Sequence, residues 1–248
     1  VSVPRLSLIA ALVAVCGMAQ SVRANCRQAL ALGLDVSSSV DSQEYALQLG
    51  GLAGALLDKD VQAVLLAQPS APVALAIFDW SGRFNQNLIT DWRLIQSPQD
   101  LQDVAATLKG RLPATGARPT ALGAALTYGA NLLARAPVCW QQTLDISGDG
   151  KSNDGHRPKA AKTHPVYATA VINGLVIGAD VTGGDQIADN DVSELSSYYR
   201  DEVIHGAGAF VQTAVGYNDY AQSMREKLLR ELNMAVSGAS QNDRRGDG

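Results

Sequence analysis

The chain has 248 residues, enough for one sizeable hydrophobic core, and 46% of them are apolar against 18% charged. That balance excludes a disordered chain. A formal charge of −4 with no basic block argues against nucleic acid as the main partner and is compatible with a cation site.

Residues 1–24 differ from the rest. Arg5 precedes an apolar run over 6–15, and small residues lead up to Ala24. This is the layout of a secretory signal peptide, with cleavage after Ala24. The apolar run is too short to span a bilayer as a helix. The expectation is an exported protein, periplasmic or secreted. Cys16 would leave with the signal, so two cysteines remain, Cys26 and Cys139. In an oxidising compartment they are either a disulfide or two buried thiols.

From residue 29 onward, strand-like and helix-like stretches alternate. Residues 29–34 (ALALGL) form an apolar run, as a strand buried on both faces requires. Residues 41–57 carry Tyr45, Leu49, Leu52 and Leu56 at helical spacing, with Asp41 as cap or first-turn carboxylate. A buried strand follows over 72–78 and a short edge strand over 85–92. Ser97 and Pro98 open a helix that runs to about Lys109. A helix is expected over 120–134, strands over 142–147 and 167–177, and a helix over 191–204. A last strand covers 208–215 and a last helix 217–236. The stretch 237–248 reads as a disordered polar tail. Such alternation predicts one domain over 25–236. Its fold class is α/β: a doubly wound, mostly parallel sheet with helices on both faces. Ligands of such folds bind beyond the carboxyl ends of the strands.

Three of those ends carry small oxygen donors. The first is Asp35-Val36-Ser37-Ser38-Ser39, after the first strand. The second is Thr120, in GARPT before a helix. The third is Asp149, in the run DISGDGKSN after a middle strand. Hard oxygens with few carboxylates suit Mg²⁺ foremost, with Mn²⁺ or Ca²⁺ as alternatives, rather than zinc. Two carboxylates leave part of a divalent ion's coordination and charge open to an acidic group from a partner. Asp145 shares the strand of Asp149 but lies about 13 Å below its end, which favours a structural hydrogen-bond acceptor over a site residue.

This order of motifs resembles the von Willebrand factor A domain and its metal-ion-dependent adhesion site, over most of 29–236. The resemblance implies that Asp35, Ser37, Ser39, Thr120 and Asp149 hold one divalent cation at the upper edge of the sheet. The chain is also similar to an uncharacterised bacterial family of exported proteins with this domain. DISGDGKSN, VINGL over 171–175, and Tyr199-Arg200-Asp201 followed by GAFV over 208–211 carry that likeness. One departure is Arg118-Pro119, where many members of the domain family have glycines. In the implied fold the strands bearing Asp35 and Asp149 are adjacent and parallel. That sets Cys26 and Cys139 side by side at the lower edge as a disulfide.

Rival motifs fail. Gly150-Lys151-Ser152 resembles the end of a phosphate-binding loop, but Asp145 stands where its first glycine belongs. An aspartyl phosphotransferase needs an aspartate where Ser37 stands. Gly206 and Gly208 precede a strand, not the helix of a dinucleotide fingerprint. Neither a Gly-x-Ser-x-Gly elbow nor a His-Glu-x-x-His motif occurs. Trp80 and His156 lie near the same edge as candidate partner-binding residues. For Trp80 the alternative is packing beneath the loop, and for His156 a solvated loop position. Arg245-Gly246-Asp247 in the tail is a chance triplet. The reading is an exported, non-enzymatic, metal-dependent domain that binds a protein through its acidic side chain. A metal-dependent phosphoester hydrolase and a structural domain with a vestigial site are the alternatives.

Overall fold

The computed structural model describes residues 26–112, 118–178 and 186–243, with only the backbone of 186–191 and 235–243. The expected signal segment, Gly116-Ala117 and the Arg245-Gly246-Asp247 triplet lie outside the described residues. In chain order the elements are β1 (Cys26–Asp35), α1 (Ser42–Leu57), α2 (Lys59–Leu65), β2 (Val73–Trp80), β3 (Gln86–Ile95) and α3 (Pro98–Lys109). There follow α4 (Leu122–Ala134), β4 (Cys139–Gly148), α5 (Pro158–Ala161), β5 (Val171–Ile177), α6 (Gln186–Tyr198), β6 (Val211–Ala214) and α7 (Tyr220–Asp243).

The strands form one sheet in the order β3-β2-β1-β4-β5-β6. All neighbours are parallel except the β2–β3 pair, which is antiparallel and puts β3 on the edge. The order reverses at β1 and β4, and ligands of such folds bind above the ends of strands at that reversal.

β1 shows why the sheet is covered on both faces. Leu30, Leu32 and Leu34 point to one face, where they pack with α1, α2, α3 and α7. Ala31 points to the other, against α4 and the Tyr199 segment. Gly33 shares that second face, where a Cβ would strike Phe78 and Ile146 at 2.6 and 2.7 Å. Large residues toward one layer and small ones toward the other let α4 approach closely. Asp35 has the parity of Ala31 and Gly33, so the carboxylate ends the small-residue row.

Local signals explain most boundaries. Asp41 caps α1 in a capping box with Glu44, and Ser97 caps α3 with Asp100. Asp58 caps α2, a short helix that the apolar spacing did not announce. The run expected as a strand from 167 begins with a 3₁₀ turn, Pro165–Ala168, and Tyr167 donates from it to the Leu126 carbonyl at 2.6 Å. The helix expected over 191–204 is α6 followed by a π-helical turn, Tyr199–Val203. The backbone of α7 continues through Asp243, beyond the tail boundary expected at 237. No proline interrupts that stretch.

Cys26 and Cys139 are register partners at the lower ends of β1 and β4. They form a disulfide with a Cα–Cα distance of 4.5 Å, joining residues 113 apart. Asp35 lies at the opposite end of β1, about 30 Å away along the strand.

Candidate metal centre

The site is built where β1 and β4 end. Asp35 is fully buried, and its Oδ1 accepts from the Ser37 backbone N–H at 2.8 Å. That turn points the Ser37 hydroxyl up, 3.1 Å from the Ser39 hydroxyl. Ser39 is exposed and donates to Asp149 Oδ1 at 2.7 Å. Asp149 Oδ2 accepts from the Tyr217 hydroxyl at 3.2 Å. The set thus grades from a buried carboxylate through paired hydroxyls to a half-buried carboxylate at the surface.

Thr120 stands on a third loop, beside the turn that carries Asp149. It is buried, and a Cβ placed on Gly150 would lie 3.8 Å from its hydroxyl oxygen. The helix expected from 120 begins at Leu122, which leaves Thr120 in the approach loop. DISGDGKSN holds that loop. Asn153 Oδ1 accepts from the Thr120 N–H at 2.9 Å, and the Thr120 carbonyl accepts from the Asn153 N–H at 2.8 Å. Ala121 cannot cap α4 with its own side chain. Ser152 Oγ accepts from the Leu122 N–H at 3.2 Å in its place.

The Arg118-Pro119 departure is held by Ser38. The Arg118 carbonyl accepts from the Ser38 N–H at 2.8 Å and from its hydroxyl at 2.7 Å, and the Arg118 N–H donates back to that hydroxyl. All three oxygen-bearing loops are therefore cross-linked by hydrogen bonds from residues next to the candidate ligands.

Electrostatics mark the same place. Burial pushes the Asp35 carboxyl up to about 8, and the charge of Asp149 adds to it. Burial also raises Asp149. Two carboxylates facing each other in a half-dry site disfavour their own ionisation. A divalent cation is the natural counter-charge, and hydroxyl and carboxylate oxygens are the donors that hard cations take. Asp35 Oδ2 is buried without a hydrogen-bond partner. Among the described residues no group of three or more His, Cys, Asp or Glu side chains gathers as a metal cluster. The donor set depends on hydroxyl and carboxylate oxygens, which fit a divalent cation.

One expectation changes here. Trp80 is 0% exposed. Its parity with Phe78 turns the ring under the loops and against α4, so it is no surface anchor. The exposed aromatic near this edge is Phe84, 89% exposed, with Arg83 against its ring at 5.9 Å. Nothing in the apolar pattern separated the two. His156 is exposed, and its Nε2 lies 3.0 Å from the Thr127 hydroxyl. It lines a groove of about 450 Å³ beside α4, with Arg83, Phe84, Gln86, Tyr128 and Asn131.

Asp145 faces the other layer. Its Oδ2 lies 2.5 Å from Lys227 Nζ, and Glu231 Oε1 lies 2.7 Å from the same ammonium. Asn173 Nδ2 donates to Glu231 at 2.6 Å, and its Oδ1 accepts from the Phe210 N–H at 3.0 Å. The residue is a structural ion partner, as its depth in the strand implied. Tyr217 and Tyr199, which touch the site, were not identified as site residues from sequence.

Comparison with solved structures shows the fold of a von Willebrand factor A domain. Proximal thread matrix protein 1 from the mussel byssus matches with a TM-score of 0.54 at 15% identity, over 84% of this chain and 46% of that one, in a structure with a zinc-occupied MIDAS motif. A von Willebrand factor type A protein from Catenulispora acidiphila matches with a TM-score of 0.54 at 14% identity, over 84% of this chain and 43% of that one. The pilus adhesin SpaC from Lactobacillus rhamnosus GG, in its open conformation, gives 0.55 at 10% identity, over 88% and 31%. The chain therefore spans less than half the length of each of these three. No curated protein matches it in sequence. The model of one family covers residues 25–236, and by that match the chain belongs to DUF1194, a family described as proteins of unknown function.

Proposed function

We propose that this protein is an exported, metal-dependent protein-binding domain. Asp35, Ser37, Ser39, Thr120 and Asp149 would hold one divalent cation, Mg²⁺ foremost, above the ends of β1 and β4. The bound cation supplies a Lewis-acidic position for a carboxylate of a protein partner. The residues around it do the rest. Ser38, Ser152 and Asn153 fix the three loops, and the groove beside α4 extends the contact surface away from the ion.

The observation that carries this reading is the pairing of a buried, partly unpartnered Asp35 with a second carboxylate, Asp149, through the Ser37 and Ser39 hydroxyls. The MIDAS motif of the mussel protein and the adhesin description of SpaC support a partner-binding reading for the same fold. The hydrogen-bonded set at the centre consists of carboxylates and hydroxyls. The matrix-protein and adhesin descriptions of the neighbours support binding over turnover. The disulfide fits an oxidising compartment and so supports export. Among the described residues no helix is long and apolar enough to cross a membrane.

Calorimetric titration of chelator-stripped protein with Mg²⁺, Mn²⁺ and Ca²⁺ tests the site. Saturable binding that Asp35→Ala abolishes is the expected result. Binding unaffected by Asp35→Ala would defeat the assignment.

A further inference from the structure

Behind the Asp35 carboxylate lies a set of polar atoms that cation binding alone does not explain. Asp35 Oδ2, Tyr199 Oη and Trp80 Nε1 are buried, and none has a hydrogen-bond partner. All three residues are fully shielded from solvent. Gly148 shows that they converge. A Cβ built there would sit 2.5 Å from Tyr199 Oη, 2.9 Å from Asp35 Oδ2 and 3.4 Å from Trp80 Cζ2, two bonds from the indole nitrogen. A phenol, an indole edge and a carboxylate oxygen thus meet at one backbone position. Two donors without acceptors stand beside an acceptor without donors.

The backbone is specialised to bring them together. Tyr199 opens the π-helical turn Tyr199–Val203, a geometry frequent at functional sites. Gly174 admits its ring, since a Cβ there would strike Tyr199 Cδ1 at 2.8 Å. Gly148 admits its hydroxyl. Leaving buried polar groups unpaired is costly. That cost is recovered in a state where the groups pair.

We propose that Tyr199 and Trp80 are positioning residues for the metal centre: once Asp35 holds a cation, Tyr199 Oη and Trp80 Nε1 donate to Asp35 Oδ2. The inference rests on the metal reading above. Ser37 N–H already holds Oδ1, so donors on Oδ2 fix the plane of the carboxylate. Hydrogen bonds to a charged oxygen are the stronger kind. Outer partners of metal ligands commonly change metal affinity 10–100-fold.

The test is Mn²⁺ calorimetry on the full chain, wild type against Tyr199→Phe, with thermal unfolding of the chelator-treated proteins alongside. Tyr199→Phe should weaken Mn²⁺ binding about tenfold or more. Its metal-free Tm should stay level or rise, because the lost hydroxyl has no partner in that state. A lower metal-free Tm with unchanged Mn²⁺ affinity means a structural tyrosine and overturns the proposal. A second readout does not need that variant. With Trp92→Phe and Trp140→Phe in place, Trp80 is the one tryptophan left of three. Its emission should shift to the red on adding Mg²⁺, and not in the Asp35→Ala background. No shift at saturating Mg²⁺ overturns the role of Trp80. A wild-type protein that binds neither ion overturns the metal reading and this inference with it, whereas normal wild-type binding with unaltered variants overturns this inference alone.

Discussion

Ser39 donates a 2.7 Å hydrogen bond to Asp149, closing a bridge between loops 110 residues apart in the chain. The same Ser39 oxygen lies 3.1 Å from Ser37 Oγ, and Asp35 holds the Ser37 backbone. Asp35 and Asp149 are thereby tied into one constellation although each disfavours the other's charge.

That tension predicts a trade between stability and binding. Asp149→Asn removes the like charge while keeping an acceptor for Ser39. The metal-free variant should unfold about 2–4 °C higher than wild type, the shift expected for about 1 kcal/mol in a chain of this size. Its Mn²⁺ affinity should fall at least tenfold. Differential scanning calorimetry and titration calorimetry on the same preparations check both halves.

The third loop positions the second. Ser152→Ala removes the substitute cap of α4 and should cost about 1 kcal/mol in urea unfolding. Asn153→Ala frees the Thr120 backbone and should weaken cation binding by a larger factor than Ser152→Ala does. Equal affinities in both variants would dissociate Thr120 from the site.

The disulfide should matter for stability and not for binding. Closing a loop of 113 residues is worth about 4–5 kcal/mol in the chain-entropy model. The Cys26→Ala, Cys139→Ala pair should lower the urea midpoint accordingly. Mg²⁺ affinity should be unchanged, since the bridge sits at the far end of β1.

Asp145 predicts a pH dependence of its own. Burial, then the nearby charge of Glu231, push its carboxyl up to about 7, against the pull of the Lys227 ammonium. Tyr220 packs beside it, and Asn173 bonds Glu231. The unfolded carboxyl titrates near 4. Between those values the folded state binds the proton more tightly, so stability falls as pH rises. The contribution is complete below about pH 4 and lost on passing about pH 7. Subtracting the urea stability of Asp145→Asn from wild type across pH 4–8 should reveal that decline. Lys227→Met, which strands two carboxylates, should cost about 3–5 kcal/mol at pH 7.

Much of this was legible because period and punctuation agree. The apolar run around Leu30, the caps Asp41 and Ser97, and the Asp35, Ser37, Ser39 spacing all follow from local chemistry. The three loops could be ordered along one edge because parallel strands put their carboxyl ends together. What failed was side-chain direction. Trp80 and Phe84 are both aromatics near the same edge, but strand parity buries the first and the following turn exposes the second. Tyr199 was not legible as a site neighbour, since a π turn and two glycines across the sheet bring it there. The runs containing Asn173 and Phe210 read as family marks. In the structure they belong to the ion cluster around Lys227 and to the packing of Tyr199, not to the cation site.

The most direct measurement is a crystal grown with Mn²⁺ and its anomalous scattering at the manganese absorption edge. The account predicts one strong peak among the oxygens of Asp35, Ser37, Ser39, Thr120 and Asp149. A fully bound ion whose peak lies elsewhere, or no peak at all at saturating Mn²⁺, would contradict it.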